Sequence, residues 1–410
     1  MRRSAVFLVA TLLAMPTLSA EKLIADELYT EKEFLAVLEE SGSLVRSLSE
    51  NVGKRRADLT SAQTLENPAL AWNRESAGDE VEQNVTVSWR PPRPDQRKLS
   101  VASAEAQVRA AEATLANDLL ALRLELRRAY AEWAVATARA ELLNEASEEL
   151  AALTQRAQQR AESGEAAGLD YRRLRLATSA AQARAALAQA DLTRWAGQAR
   201  AWRPDLPNNA KPSLPHLPDV PSAAGIDNHP SIVALAEDHD AANKSADLAR
   251  KATEMPRVVL GWRHLDNGDA TLDGPLVGLS WNIPLASRKR AATLRADARA
   301  DAAAARLELQ RARIEAEQTS ALTTFQLLRN ATTDAAQVAS DSGHAVEAAR
   351  VAFQLGESDL TTLLDTLEKS TAARSAALDL HREALAAHRE VERFQGSPPQ
   401  QNSSPQESLP

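Results

Sequence analysis

Two stretches of this chain, Asp95 to Ala161 and Leu285 to Ser342, contain neither glycine nor proline. Ala, Leu, Glu and Arg fill most of their positions, so nothing in them stops a helix once it has begun. At 1.5 Å per residue, either helix reaches roughly 85–100 Å. No small globular domain needs helices of that length. Leu115, Leu119, Leu122 and Leu126 recur at threes and fours, the apolar stripe of a coiled coil. Many seam positions are Ala, which lets neighbouring helices come close. Aromatic residues are only 4% of the chain, which favours long helices over a thick mixed core.

The two stretches belong to two copies of one plan. Val85-Thr86-Val87-Ser88-Trp89 aligns with Val277-Gly278-Leu279-Ser280-Trp281, and Trp89 and Trp281 stand 192 residues apart. The same offset relates Trp133 to Phe325, and Gly164-Glu165 to Gly356-Glu357. Upstream, Asn67-Pro68 leads to Trp72 much as Met255-Pro256 leads to Trp262. Each half reads helix, strand pair, very long helix, turn, returning helix. Gly164 and Gly356 mark the turns, after which helices run from Leu169 to Ala196 and from Leu360 to Phe394. Six prolines between Pro204 and Pro221 read as an extended linker. The expected organisation is a first repeat at 21–203, a Pro-rich linker at 204–222, a second repeat at 223–395 and a disordered Ser/Pro/Gln tail at 396–410.

Residues 1–20 read as a signal peptide. Arg2 and Arg3 precede a short apolar run from Ala5 to Met15, and Leu18-Ser19-Ala20 offers a cleavage site before Glu21. No later segment is apolar for long enough to cross a bilayer as a helix. The chain has no Cys and a net charge of −8. Those counts remove disulfide and thiolate-metal sites, and an exported acidic chain does not suit a nucleic-acid partner.

The strands alternate with period two. Val85, Val87 and Trp89 oppose Asn84, Thr86 and Ser88; Val277, Leu279, Trp281 and Ile283 oppose Gly278, Ser280 and Asn282; Val258, Leu260 and Trp262 share one face; Leu70 and Trp72 oppose Ala71 and Asn73. A soluble half-buried sheet also alternates. An outer-membrane barrel does so with interfacial aromatics, and here Trp72, Trp89, Trp262 and Trp281 fill that place. Turns are expected at Ala77 to Glu82 and Asp266 to Asp273. Four strands cannot close a barrel, and an open edge in lipid leaves unsatisfied backbone groups. Other copies must supply the missing strands, and three would give a twelve-stranded barrel.

On the duplicated strand pair and hairpin, Asn67-Pro68 and the turn Gly356-Glu357-Ser358-Asp359-Leu360-Thr361-Thr362-Leu363-Leu364-Asp365, the chain resembles the TolC family of outer-membrane efflux proteins over about residues 30–395. The resemblance implies an α+β membrane protein: a homotrimeric β-barrel with four strands per protomer, continuing into a long periplasmic α-helical barrel. It implies docking to a periplasmic adaptor and to an inner-membrane pump of the resistance–nodulation–division type. It also places Asp365 near the closed periplasmic aperture, whereas Thr362 stands where some members carry a second aspartate. Pro256-Arg257-Val258 is most similar to the heavy-metal efflux branch, although Arg93-Pro94-Asp95-Gln96-Arg97-Lys98 departs from that branch's Gly-Gly-Lys-Arg run.

The expected function is a passive exit duct from periplasm to exterior, without catalytic residues, cofactor or resident metal. Asp365 is the aperture candidate, and Gly164 and Gly356 are the hairpin turns where an adaptor would dock. His264, His381 and His388 read as surface histidines, since the seven-residue spacing of the latter two is too long for a compact helix site. Arg288-Lys289-Arg290 and Arg97-Lys98 start helices where membrane would meet periplasm. A second reading is a soluble periplasmic coiled-coil adaptor, which would carry one hairpin and compact β domains instead of a duplication with outward Trp residues.

Overall fold

The computed structural model describes residues 28–40, 42–78, 80–91, 93–162, 168–207, 209–222, 225–251, 255–267, 269–281 and 288–395. The expected leader, Gly164, Ile283 and the expected tail at 396–410 fall outside the described residues. In chain order the elements are α1 (Glu31–Leu35), α2 (Val37–Glu40), α3 (Gly42–Gln63), β1 (Ala69–Ala77), β2 (Glu80–Trp89), α4 (Pro94–Glu162) and α5 (Gly168–Trp202). A short 3-10 turn (Ile226–Asn228) then precedes α6 (Pro230–Lys251), β3 (Arg257–Asp266), β4 (Thr271–Ser280), α7 (Arg288–Leu355) and α8 (Leu360–Gln395).

The duplication is visible element by element. α3 and α6 each have 22 residues, α4 and α7 have 69 and 68, and α5 and α8 have 35 and 36. Local chemistry sets the starts. Pro94 and Pro230 are first helical residues, where the missing N–H costs nothing. A capping box between Thr30 and Glu33 opens α1. α7 runs on through Gly343 to Leu355; a single helical glycine costs only about 1 kcal/mol, too little to end so long a helix.

Packing arranges the helices in four columns. α4 and α7 run the full length; α3 and α5 both pack on α4, while α6 and α8 both lie between α4 and α7. Near the sheet the row is α3–α4–α6–α7, and near the tips it is α5–α4–α8–α7. The sheet has the matching order β1-β2-β3-β4, all antiparallel, with β1 and β4 as its edges. Its turns are tighter than expected, because β2 already begins at Glu80 and β4 at Thr271. Gly261 permits the close β2–β3 approach, since a Cβ there would lie 2.4 Å from the Val85 carbonyl oxygen.

Where the short helices of a column meet, two small cores form a waist. One gathers Phe34, Leu126, Tyr130, Trp133 and Leu206; the other gathers Ala321, Phe325, Ala387 and Val391. Trp133 and Phe325, the 192-offset pair, anchor one core each. Residues of the Pro-rich connection lie against this waist. Tyr29 donates its amide to the Lys211 carbonyl (2.7 Å) and Ser213 donates to the Tyr29 carbonyl (2.9 Å), while Leu217 and Val220 pack on the second core.

Candidate membrane belt, hairpin tips and waist

The strand register aligns the apolar residues into rows across the sheet. Leu70, Val87, Leu260 and Val277 form one row; Trp72, Val85, Trp262 and Pro275 form the next; Trp89, Val258 and Leu279 form a third. Most members are exposed, Trp72 by 61% and Val277 by 77%. Trp281 lies one residue beyond β4 and is also exposed. One step beyond the Trp72 row towards the strand turns, the same face becomes polar, with Arg74, Gln83, His264 and Asp273 in register. His264 Nδ1 lies 2.7 Å from an Asp273 oxygen. The opposite face carries Asn73, Asn84 and Arg263 in one row and Ala71, Thr86 and Gly261 in another. It is not uniformly polar, because Leu265 opposes Leu272 there. Among the described residues no helix is long and apolar enough to cross a membrane.

At the tip of the second hairpin, Gly356 has φ +77°, the left-handed conformation that glycine adopts without strain. Asp359 then caps α8: it accepts from the Thr362 amide (2.8 Å) and hydroxyl (2.6 Å). Those two bonds, the hydroxyl first, hold the Asp359 carboxyl below its usual range. Asp365 is exposed and pairs with Lys369 one turn on, at 2.8 Å. Polar ties join the two hairpins above the tips. Arg173 donates to the Thr361 hydroxyl (3.3 Å) and Arg184 meets Glu368 at 3.4 Å; Arg139 pairs with Asp379, and Arg350 with Glu149. Between α4, α5 and α8 lies a mainly apolar groove of about 250 Å³, lined by Leu143, Leu150, Ala177 and Leu367 among others.

The waist corrects the reading of the histidines. His388 is only 7% exposed and packs on Phe325 with ring centroids 5.0 Å apart. Burial, aided by Arg127 and Arg389, pushes its imidazole down to about 4. Its 3.9 Å approach to Glu392 is therefore a contact with a neutral ring at neutral pH, not an ion pair. His381, half-buried, donates Nε2 to the Pro215 carbonyl (2.8 Å), and burial lowers its pKa. His229 bridges two helix ends. Its Nε2 donates to the Arg393 carbonyl of α8 (2.7 Å), while Nδ1 accepts from the Ser231 amide (3.1 Å) at the start of α6. His264 is half-buried, and His216 and His344 are exposed as expected. Charged residues on a helix's other faces hid the burial of His388, but the His229-Pro230 pair, directly before a helix start, was a readable signal. Among the described residues no group of His, Asp or Glu could hold a metal ion.

Arg127 is the waist's central charge, and nothing in its local sequence distinguishes it. It binds Glu31, ahead of α4, at 2.6 Å and also Glu392 near the end of α8. Burial opposes its charge, but the two carboxylates win and hold its pKa above the usual value. Tyr130 donates its buried hydroxyl to the Tyr29 carbonyl (2.6 Å), and burial pushes its pKa up to about 12.

A four-stranded sheet with one apolar exposed face, set on two very long helical hairpins, is a fold this chain shares with solved outer-membrane channels. The Campylobacter jejuni CmeC outer membrane channel superposes with a TM-score of 0.74 at 13% identity, covering 89% of this chain and 85% of that one. A membrane protein from Pseudomonas aeruginosa gives 0.73 at 20% identity over 90% of both chains, and CusC gives 0.72 at 16% over 90% and 92%. Comparison with curated protein sequences finds no match. Residues 224–397, which include α6 to α8, match the outer membrane efflux protein family.

Proposed function

We propose that three copies of this chain form a passive duct through the outer membrane, extending into the periplasm and delivering cargo to the exterior. One observation carries the reading. The rows of exposed apolar side chains run from edge to edge of the sheet, and both edges are unpaired in a single copy. In lipid those edges must find strands, and β4 of one copy beside β1 of the next supplies them. The helices repeat the logic. α5 and α7 end the lower row, and each shows apolar residues without a neighbour, Leu176 and Leu187 on α5, Leu327 and Val338 on α7. A head-to-tail contact that closes on itself satisfies both layers at once. The adaptor alternative has no account of an outward apolar sheet face.

In this reading Trp72 and Trp262 sit at one membrane interface, with Trp89 and Trp281 at the other. Asp365 lies near the periplasmic aperture, where its pairing with Lys369 offsets the charge it contributes. Opening slides α8 past α5 and α4, breaking the Arg173–Thr361 and Arg184–Glu368 ties beside the loosely filled groove. A periplasmic adaptor meets the tips at Gly164 and Gly356, and an inner-membrane pump of the resistance–nodulation–division type supplies the energy. The purified chain reconstituted in planar bilayers is expected to give discrete conductance steps, and chemical crosslinking should stop at a trimer. A monodisperse monomer in detergent-free buffer, silent in bilayers, would overturn the proposal. Deleting the gene and testing sensitivity to metals, dyes and antibiotics identifies the cargo.

A further inference from the structure

At the periplasmic end of the sheet, the non-apolar face carries two arginines that no carboxylate among the described residues neutralises. β2 and β3 pair up to Trp89 and Val258, and one more step in the same register sets Arg90 opposite Arg257. Both share the face of Ser88 and Thr86, not that of the Trp residues. Arg257 in turn faces Ser280 on β4. Both arginines are half-buried, and the Arg90 Nε is shielded from solvent without a hydrogen-bond partner. Among the described residues neither forms an ion pair, and Asp95, five residues after Arg90, pairs with neither; Glu254, three residues before Arg257, falls outside the described residues. By contrast Arg263, on the same face near the strand turns, is held by Glu82 at 2.9 Å.

Like charges opposite one another on adjacent strands are destabilising. A partly desolvated guanidinium left unpaired adds to that cost. A fork of two planar donor groups, flanked by a serine hydroxyl, suits an oxyanion such as phosphate, sulfate or a carboxylate. We propose that Arg90 and Arg257 form an anion-binding collar where the barrel lumen meets the helical barrel. Resting on the trimeric duct, this makes six guanidinium groups around one opening. Such a ring raises the local concentration of small anions and of anionic groups on cargo, because a narrow low-dielectric passage focuses the field. It lies at the opposite end of the helical barrel from Asp365 and carries the opposite charge.

The test is the reversal potential of reconstituted channels in a potassium chloride gradient. Replacing both residues (Arg90→Gln with Arg257→Gln) should raise the potassium-to-chloride permeability ratio several-fold. Each single replacement should give an intermediate shift, and the double Lys variant should restore wild-type selectivity. Arg74→Gln, which removes the same charge from the outward face, should leave the ratio unchanged. Inorganic phosphate added to the periplasmic side should reduce current through the wild type more than through the double Gln variant. Channels of normal conductance whose selectivity ignores the double Gln replacement would sink the collar and leave the duct standing. If Arg74→Gln moves the ratio as far as the double variant does, the effect is net charge alone and the collar is likewise rejected. If the double Gln variant fails to insert, the single and Lys variants decide by the same readout. A wild-type chain that forms no channel removes the duct, and the collar with it.

Discussion

The two repeats share a backbone plan and differ at most of their charged positions. Their helices match in length to within one residue, and Trp133 and Phe325 fill the same place in their respective waist cores. Yet Arg127 of the first repeat has Thr319 as its counterpart in the second, His388 has Ala196 in the first, and Asp365 has Arg173. Duplication preserved what packing requires and released what the surface could vary. The released positions are the ones that now join the repeats. Arg139, Arg173 and Arg184 in the first meet Asp379, Thr361 and Glu368 in the second. A ring of six identical hairpins would have no such distinction between neighbours. In the proposed duct, two unlike hairpins per copy would let some contacts open while others hold.

The sharpest way to break this comparison is at Arg127. Arg127→Met strands Glu31 and Glu392 in a buried setting, and removing one partner of such a network costs about 3–5 kcal/mol. Thr319→Val, at the equivalent exposed position of the second repeat, should stay within about 0.5 kcal/mol. Denaturant titration of the purified protein, followed by tryptophan fluorescence, reads both. Equal effects would mean that the repeats are not divided in this way.

A smaller effect separates the two waist cores by pH. His388 titrates near 4 when folded and near 6.5 when unfolded. Between those values the unfolded chain holds the extra proton, so stability rises with pH and is lost as pH falls from 6.5 towards 4. The loss is at most about 3 kcal/mol. Glu392 works the other way, because burial raises its pKa and its contribution weakens as pH rises. His388→Leu should therefore flatten the acid side of the stability profile, while Ala196→Ser in the first repeat leaves the profile alone. An unchanged acid limb in the His388 variant would show that some other group controls it.

What could be read in the sequence follows from how local each signal is. The repeat offset, the period-two strands and the absence of Gly and Pro in α4 and α7 act within a few residues of where they are written. The face of each strand was readable because its register follows from short turns. The waist was not, since the partners of Arg127 lie 96 and 265 residues away, and pairing over such distances leaves no periodic trace. His388 sits beside Arg389 and Glu390, so its neighbours spoke for solvent while its own helix face turned inward. The prolines of the connection gave no sign that it would lie against the waist. The unpaired arginines at the neck became apparent only once the register put Arg90 across from Arg257.

The smallest structural effect belongs to the tips, and there stability is the wrong measure. Asp365 and Lys369 are solvent-exposed partners one helical turn apart, and such pairs hardly alter folding. Asp365→Ala should leave the denaturant midpoint unchanged. In the proposed trimer three such carboxylates would stand near one axis and shape the field in a narrow opening, so removing them would alter the closed state. Single-channel conductance should rise in the Asp365 variant. Arg173→Ala, at the equivalent place on the first hairpin, removes a tie to Thr361 instead, so it should raise the frequency of opening while leaving the selectivity of the open duct unchanged. If both variants change conductance and opening frequency alike, the hairpins contribute equally to the aperture, and the charge inversion between them has no bearing on gating.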